Sequence, residues 1–172
     1  GFDDYVRYGR ELGIEVRQLR AEGEISSSLI RQLIAEGNIS KANELLGHPY
    51  ALLGRVEHGE HIGTQMGFPT ANIVADDQRQ LIPASGAYAV KVSIEDDAMW
   101  NAGMMNIGTR PTFDGNHQTL EVNIFDFDED LYGKSLRVEF VSRLREERRF
   151  DSMEALREQL RKDEIQAKKV IL

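Results

Sequence analysis

The chain has 172 residues, 41% hydrophobic and 29% charged, a globular composition rather than a disordered one. It has no cysteine, which excludes disulfide frameworks and thiolate metal sites, and its formal charge of −8 offers no general attraction to phosphate backbones. No apolar run approaches the ~20 residues that span a bilayer, and the acidic start Gly1-Phe2-Asp3-Asp4 is not expected to act as a secretory leader. Nucleic acid and membrane are therefore not expected partners, and a cytoplasmic location is expected. The chain does not begin with Met and is expected to be a piece of a longer protein.

Residues 1–49 read as helical. Phe2, Tyr5, Val6 and Gly9 to Leu12 recur at helical spacing with a stop at Gly13, and Ile14 to Leu19 alternates like a short strand. Ser26 or Ser27 can cap a helix through Glu36, ended by Gly37, and a short helix over Ser40 to Leu46 precedes the breakers Gly47 and Pro49.

Residues 50–145 read as strands. Tyr88, Val90, Val92 and Ile94 alternate with Ala89, Lys91, Ser93 and Glu95. Leu120, Val122 and Ile124 alternate with Glu121, Asn123 and Phe125, and Leu136, Val138 and Phe140 with Arg137, Glu139 and Val141. Each is a period-2 pattern with one buried face, and Asp130 to Lys134 is a turn between the last two. Short strands separated by turns predict a closed or nearly closed β-barrel. Residues 151–168 predict a final helix with Asp151 as its cap, Glu154 three residues on, and Leu156, Leu160 and Ala167 on its apolar face.

The stretch from Gly54 to Ile73 carries the chemistry. Gly54, Gly59, Gly63 and Gly67 fall within fourteen residues, where backbone N–H groups could approach phosphate oxygens; a plain turn between strands would look the same. Phe68-Pro69-Thr70-Ala71-Asn72 follows, with a hydroxyl and an amide two residues apart, so that Thr70 and Asn72 share a face if the segment is extended. Both are neutral oxygen donors, suited to a hard Mg²⁺ already neutralised by ATP phosphates.

GFPTAN after a glycine-rich turn, with GAYAVKV and NIGTRPTF downstream, resembles the riboflavin kinase module of the bacterial bifunctional riboflavin kinase/FMN adenylyltransferases, the FAD synthetases. The resemblance covers about Tyr50 to Ala167. It implies a six-stranded antiparallel β-barrel with a C-terminal helix, and phosphorylation of riboflavin to FMN with ATP and Mg²⁺. It implies that Thr70 and Asn72 hold the metal and place the ATP phosphates, that Gly54, Gly59, Gly63 and Gly67 belong to the nucleotide loop, and that Glu121 is the catalytic base. Asn106 to Pro111 is expected to be a loop beside the nucleotide, and Arg161 on the last helix to face the isoalloxazine ring. Two positions depart from the usual pattern. The residue after Gly63, often basic, is Thr64, which leaves phosphate neutralisation to His61 or Arg55, or to no side chain in its place; the residue two after Glu121, often His, is Asn123.

Glu24-Ile25-Ser26-Ser27-Ser28-Leu29-Ile30-Arg31 resembles the motif that closes the family's adenylyltransferase domain, and Leu45 to Tyr50 its junction with the kinase domain. Residues 1–49 are thus expected to be a remnant of a Rossmann-like adenylyltransferase domain and 50–172 the kinase domain. No HxGH-type motif exists in the chain, so FMN adenylylation to FAD is expected only of a longer parent. A non-catalytic flavin- or nucleotide-binding module stays open as an alternative, because it would need Thr70 and Asn72 but not Glu121.

Overall fold

The structure, a computed structural model, describes residues 27–58 and 67–172. The helix and strand expected over residues 2–19, Ser26, and Gly59, His61, Gly63 and Thr64 of the glycine-rich stretch lie outside the described residues.

Helix α1 is described over residues 27–36 and ends at Gly37, whose φ of 86° is the left-handed geometry expected of the stop. Helix α2, Ile39–Leu46, begins one residue before the expected start because the Asn38 side chain accepts from the Lys41 N–H. The strands are β1 (Ala51–Glu57), β2 (Ala71–Ala75), β3 (Gly86–Ile94), β4 (Asn101–Thr112), β5 (Gly115–Ile124) and β6 (Ser135–Glu146), and helix α3 is Met153–Ile171. The six strands close into an antiparallel barrel in the order β1-β2-β5-β4-β3-β6.

The period-2 patterns select the barrel's two faces. Leu52, Val56, Ile73, Tyr88, Val90, Met105, Leu120, Val122, Val138 and Phe140 point inward and form the main core. On β3 the outward residue Ala89 is fully buried as well, because α3 lies over that face. Leu156, Leu160, Ala167 and Ile171 of α3 pack with Ala89, Met104 and Phe125 in a second apolar layer. A smaller cluster of Ile30, Ile34 and Ala42 joins α1 to α2. Arg143 of β6 ties α1 to the barrel, donating to the Glu36 carbonyl at 3.3 Å and the Ser85 carbonyl at 2.5 Å.

Three local expectations need correction. Asn106 to Pro111 is not a loop: it continues β4, in register with β5 as far as Thr112↔Gly115. The cap of α3 is Ser152, not Asp151; its hydroxyl accepts from the Ala155 N–H at 3.1 Å, and the helix runs on to Ile171. Gly54, expected in the nucleotide loop, lies within β1, which is paired with β2.

Two tyrosines, Tyr88 buried and Tyr50 half-buried, stabilise the barrel in their neutral form. Tyr50 O–H donates to the Leu81 carbonyl and Tyr88 O–H to the Ala84 carbonyl, each at 2.5 Å. Burial pushes both phenols above their ordinary pKa, with smaller opposing effects from Gln80 at Tyr50 and Arg143 at Tyr88. A phenol whose folded pKa is raised contributes stability that is full below the unfolded pKa of ~10 and is lost as pH rises beyond it, because only the unfolded chain then releases the proton readily. We expect denaturation midpoints to fall between about pH 9.5 and 11, with a shallower fall in Tyr50→Phe/Tyr88→Phe; an unchanged slope in that double variant would contradict the assignment.

Candidate active site

Barrel register, rather than any one loop, assembles the polar site. Asn72 of β2 stands opposite Glu121 of β5, and Glu121 opposite Asn106 of β4. Asn106 in turn faces Ala87 of β3, and Ala87 faces Arg145 of β6. Directly opposed residues project from the same side of a sheet, so Asn72, Glu121, Asn106, Ala87 and Arg145 form one row across the outer surface of five strands. Its inward neighbours Leu120 and Val122 are buried, while Glu121 is half-buried.

Thr70 reaches the row from the segment before β2. Gly67, at φ 84°, turns the chain through left-handed geometry, and Phe68 then plugs into the layer beneath α3. Asn123, two residues beyond Glu121 and buried, donates its side-chain N–H to the Pro69 carbonyl at 2.6 Å. That bond pins Phe68-Pro69-Thr70 against β5. Nothing in the sequence pattern reveals it, because Asn123 occupies the polar side of an alternating strand.

Three cavities meet at these residues. One of about 250 Å³ lies between α3 and the barrel and brings together Thr70, Asn106, Glu121, Arg145, Phe150 and Leu160. A second, about 380 Å³, lies beside the β5–β6 turn and holds Val56, His58, Thr70, Phe127 and Tyr132. His58 and Tyr132 stack there with ring centroids 3.8 Å apart. A polar cleft of about 200 Å³ joins Asn72, Glu121, Arg110 and His117. Thr70 thus sits between the first two cavities, and Glu121 shares one cavity with Thr70 and another with Asn72. A larger cavity of about 1000 Å³, lined by Ser27, Arg31 and Tyr50 among others, contains none of Thr70, Asn72, Asn106 or Glu121.

The structure therefore brings Thr70, Asn72, Asn106 and Glu121 together and leaves two candidates aside. Gly54 lies inside β1, where a Cβ would collide with Ile73 and come within 2.7 Å of the Val74 carbonyl, so close strand packing accounts for it. Arg161 is 60% exposed, lies 4.0 Å from Glu158, and is not among the residues lining the α3 cavity. The guanidinium groups that do line it are Arg145 and Arg148. Sequence reasoning missed these, together with Phe150 and Asp163, although a carboxylate at 163 interrupts the apolar stripe of α3 and could have drawn notice. Among the described residues no three His, Asp or Glu side chains gather as a metal cluster, and no helix is long and apolar enough to cross a membrane.

Comparison with known proteins gives this arrangement a family. Residues 46–171 match the model of the flavokinase family, described as riboflavin kinase. The bifunctional riboflavin kinase/FMN adenylyltransferase of Escherichia coli strain K12 is 42% identical over 165 residues, covering 93% of this chain and 51% of the relative, so the chain spans about half the length of the curated relatives it matches. A crystal structure described as a macrolide-efflux protein from Streptococcus pneumoniae aligns with a TM-score of 0.78 and 42% identity over 83% of this chain and 46% of its own. The riboflavin kinase of Trypanosoma brucei aligns with a TM-score of 0.50 over 70% of this chain and 76% of its own; at 22% identity that likeness concerns the fold alone. On the extent of the family match and the identity to its bacterial relatives, the chain belongs to the riboflavin kinase family.

Proposed function

We propose that the chain transfers the γ-phosphoryl group of ATP to the 5′-hydroxyl of riboflavin, releasing FMN and ADP. The observation that carries this reading is the row Asn72, Glu121 and Asn106, with Glu121 and Asn106 lining the cavity beneath α3 and Thr70 standing between that cavity and the one beside the β5–β6 turn, both largely apolar. Phosphoryl transfer needs its donor and acceptor held in line more than it needs covalent chemistry from the protein.

The α3 cavity suits the flavin. Phe68, Met104, Phe150, Leu156 and Leu160 offer apolar surface to a planar ring, and Glu121 stands at its polar margin. The cavity beside the β5–β6 turn suits the nucleoside, with the His58–Tyr132 stack as a flat surface. Thr70 lies between, where the phosphates would pass, and the left-handed turn at Gly67 would let backbone N–H groups approach them. Glu121 then accepts the proton of the ribityl hydroxyl, or a hydrogen bond from it, as the phosphoryl group arrives. Asn106, beside Glu121 in the row, offers an amide to orient the hydroxyl or a phosphate oxygen.

The donor set fits Mg²⁺ as a companion of ATP rather than a resident ion. Thr70 and Asn72 would hold it through neutral oxygens, with Glu121 nearby, and such a site leaves most ligands to phosphate and water. When bound, the ion neutralises charge on the β- and γ-phosphates. On this reading the reaction runs where ATP is supplied, in the cytoplasm. FMN adenylylation is assigned to the part of the bifunctional relatives that this chain does not cover.

Given riboflavin, ATP and Mg²⁺, the 172-residue chain is expected to make FMN and no FAD; chromatography resolving the two flavins checks it, and absence of FMN overturns the reading. Thr70→Ala and Asn72→Ala should each raise the Mg²⁺ concentration needed for half-maximal rate while leaving the circular-dichroism spectrum unchanged. Glu121→Gln should slow single-turnover FMN formation by ~10²–10⁴-fold if proton acceptance dominates, with little change in riboflavin affinity; a small loss in Gln beside a large one in Glu121→Ala would point to orientation instead. Asn123→Ala strips the Pro69 carbonyl of its donor, a hydrogen bond worth about 0.5–1.5 kcal/mol net because Pro69 is exposed and water can replace the donor. It should lower kcat/KM for ATP more than the affinity for riboflavin, measured by steady-state kinetics and flavin fluorescence.

A further inference from the structure

The core-facing stripe of α3 runs Leu156, Leu160, Asp163, Ala167, Ile171, so a carboxylate occupies a place where helical periodicity calls for an apolar side chain. Asp163 is only 3% exposed. Arg145 of β6 meets it with a forked contact: Nε donates to both carboxylate oxygens at 3.1 and 3.0 Å, and Nη2 lies 2.9 Å from Oδ2. Gln159 adds a bond to Oδ1 at 2.9 Å and accepts from Arg148 at 3.1 Å. The guanidinium groups of Arg145 and Arg148 lie 5.6 and 5.7 Å from the Phe150 ring centroid. Arg145, Arg148, Phe150 and Asp163 all line the α3 cavity.

Stability is a poor account of this pair. Removing two charges from water costs about what their attraction returns, and a well-packed apolar pair of similar volume is often equal or better. Leu160 and Ala167 show that α3 docks through apolar contacts on either side of Asp163. What the ion pair does provide is a guanidinium of fixed orientation. Of the five N–H groups of Arg145, one on Nε and one on Nη2 go to Asp163, and one on Nη1 to the Glu146 carbonyl at 3.3 Å. One N–H on each terminal nitrogen remains.

Position decides what those donors meet. Arg145 is separated from Glu121 by three strand spacings, through Asn106 and Ala87, or about 14 Å along the row. Ala87, small and buried, leaves the floor between them open to a flat ligand. A flavin with its hydroxyl at Glu121 would bring its ring, not its phosphate-accepting end, to Arg145. We propose that Arg145 is a binding residue of the flavin subsite, donating its two remaining N–H groups to the carbonyl edge of the isoalloxazine ring, and that Asp163 is the positioning residue that orients it. The inference rests on the assignment of the α3 cavity to riboflavin.

The test replaces the pair by apolar groups, Arg145→Met/Asp163→Leu, and separately removes the fork but keeps the charge, Arg145→Lys. The double variant should melt within about 5 °C of the parent. In both variants the Kd for riboflavin, read by flavin fluorescence, should rise about 10- to 100-fold, the loss of hydrogen bonds from a charged donor. MgATP affinity, read by calorimetry, should stay within about twofold. Riboflavin affinity equal to the parent's in either folded variant overturns the proposal, as does an equal loss of both ligands, which would mark a merely structural role. If the double variant fails to fold, Arg145→Lys decides alone by the same criteria. A parent that forms no FMN overturns the riboflavin reading and this inference with it, whereas an active parent with unaffected variants overturns this inference only.

Discussion

Closure of the barrel is the constraint from which the site follows. With β1 paired to both β2 and β6, no strand can slip without breaking ladders on two sides, so the pairings Asn72↔Glu121 and Glu121↔Asn106 are fixed by the whole sheet. A slip of one residue would exchange Glu121 with Leu120 or Val122, putting a carboxylate in the core and an aliphatic side chain at the site. The buried aliphatic residues therefore do more than hold the fold: by demanding the inner face they assign the polar residues to the outer one. Only Thr70 stands off the ladder, and the Asn123–Pro69 bond with the buried Phe68 ring brings it into line.

Helix α3 turns this polar row into an enclosed site. The barrel's outer face at Ala87, Ala89 and Met104 would otherwise meet water, and a row of hydrogen-bonding groups in water gains little from one another. Leu156 and Leu160 cover that face while leaving a cavity of about 250 Å³ between helix and sheet. The segment that leads from β6 into α3 supplies Glu147, Arg148 and Phe150 to the cavity wall, and Glu147 accepts from the Thr109 N–H at 3.4 Å. One connection thus joins the extended β4–β5 hairpin, the cavity and the helix.

Much of this was legible in the sequence, for identifiable reasons. Alternation at Tyr88 to Ile94, Leu120 to Ile124 and Leu136 to Phe140 marked three strands because each has a continuous buried face. Gly54 was misplaced in the nucleotide loop because it stands in a run of glycines, while the space it leaves for Ile73 and Val74 is a tertiary matter. The far end of β4 was hidden because Gly108 and Pro111 argue for a loop, and only its pairing with β5 keeps it extended. The cap of α3 was misplaced by one residue because Asp151 and Ser152 are both good caps, and local geometry chooses between them. At the site, Thr70, Asn72 and Glu121 could be named from motif resemblance, but their convergence depends on a register between strands about fifty residues apart. Arg145 and Asp163 carry no motif, and their pairing becomes visible only once β6 and α3 are packed together.

The account's central claim is that Glu121 and Thr70 flank the point where a flavin hydroxyl meets the end of a nucleotide. The most direct measurement is a crystal structure of the chain with ADP, Mg²⁺ and riboflavin. The account predicts the isoalloxazine ring beneath α3, the diphosphate beside Thr70, and the 5′-hydroxyl within about 3 Å of the Glu121 carboxylate. A flavin bound elsewhere, or a hydroxyl directed away from Glu121 with the diphosphate in place, would contradict it.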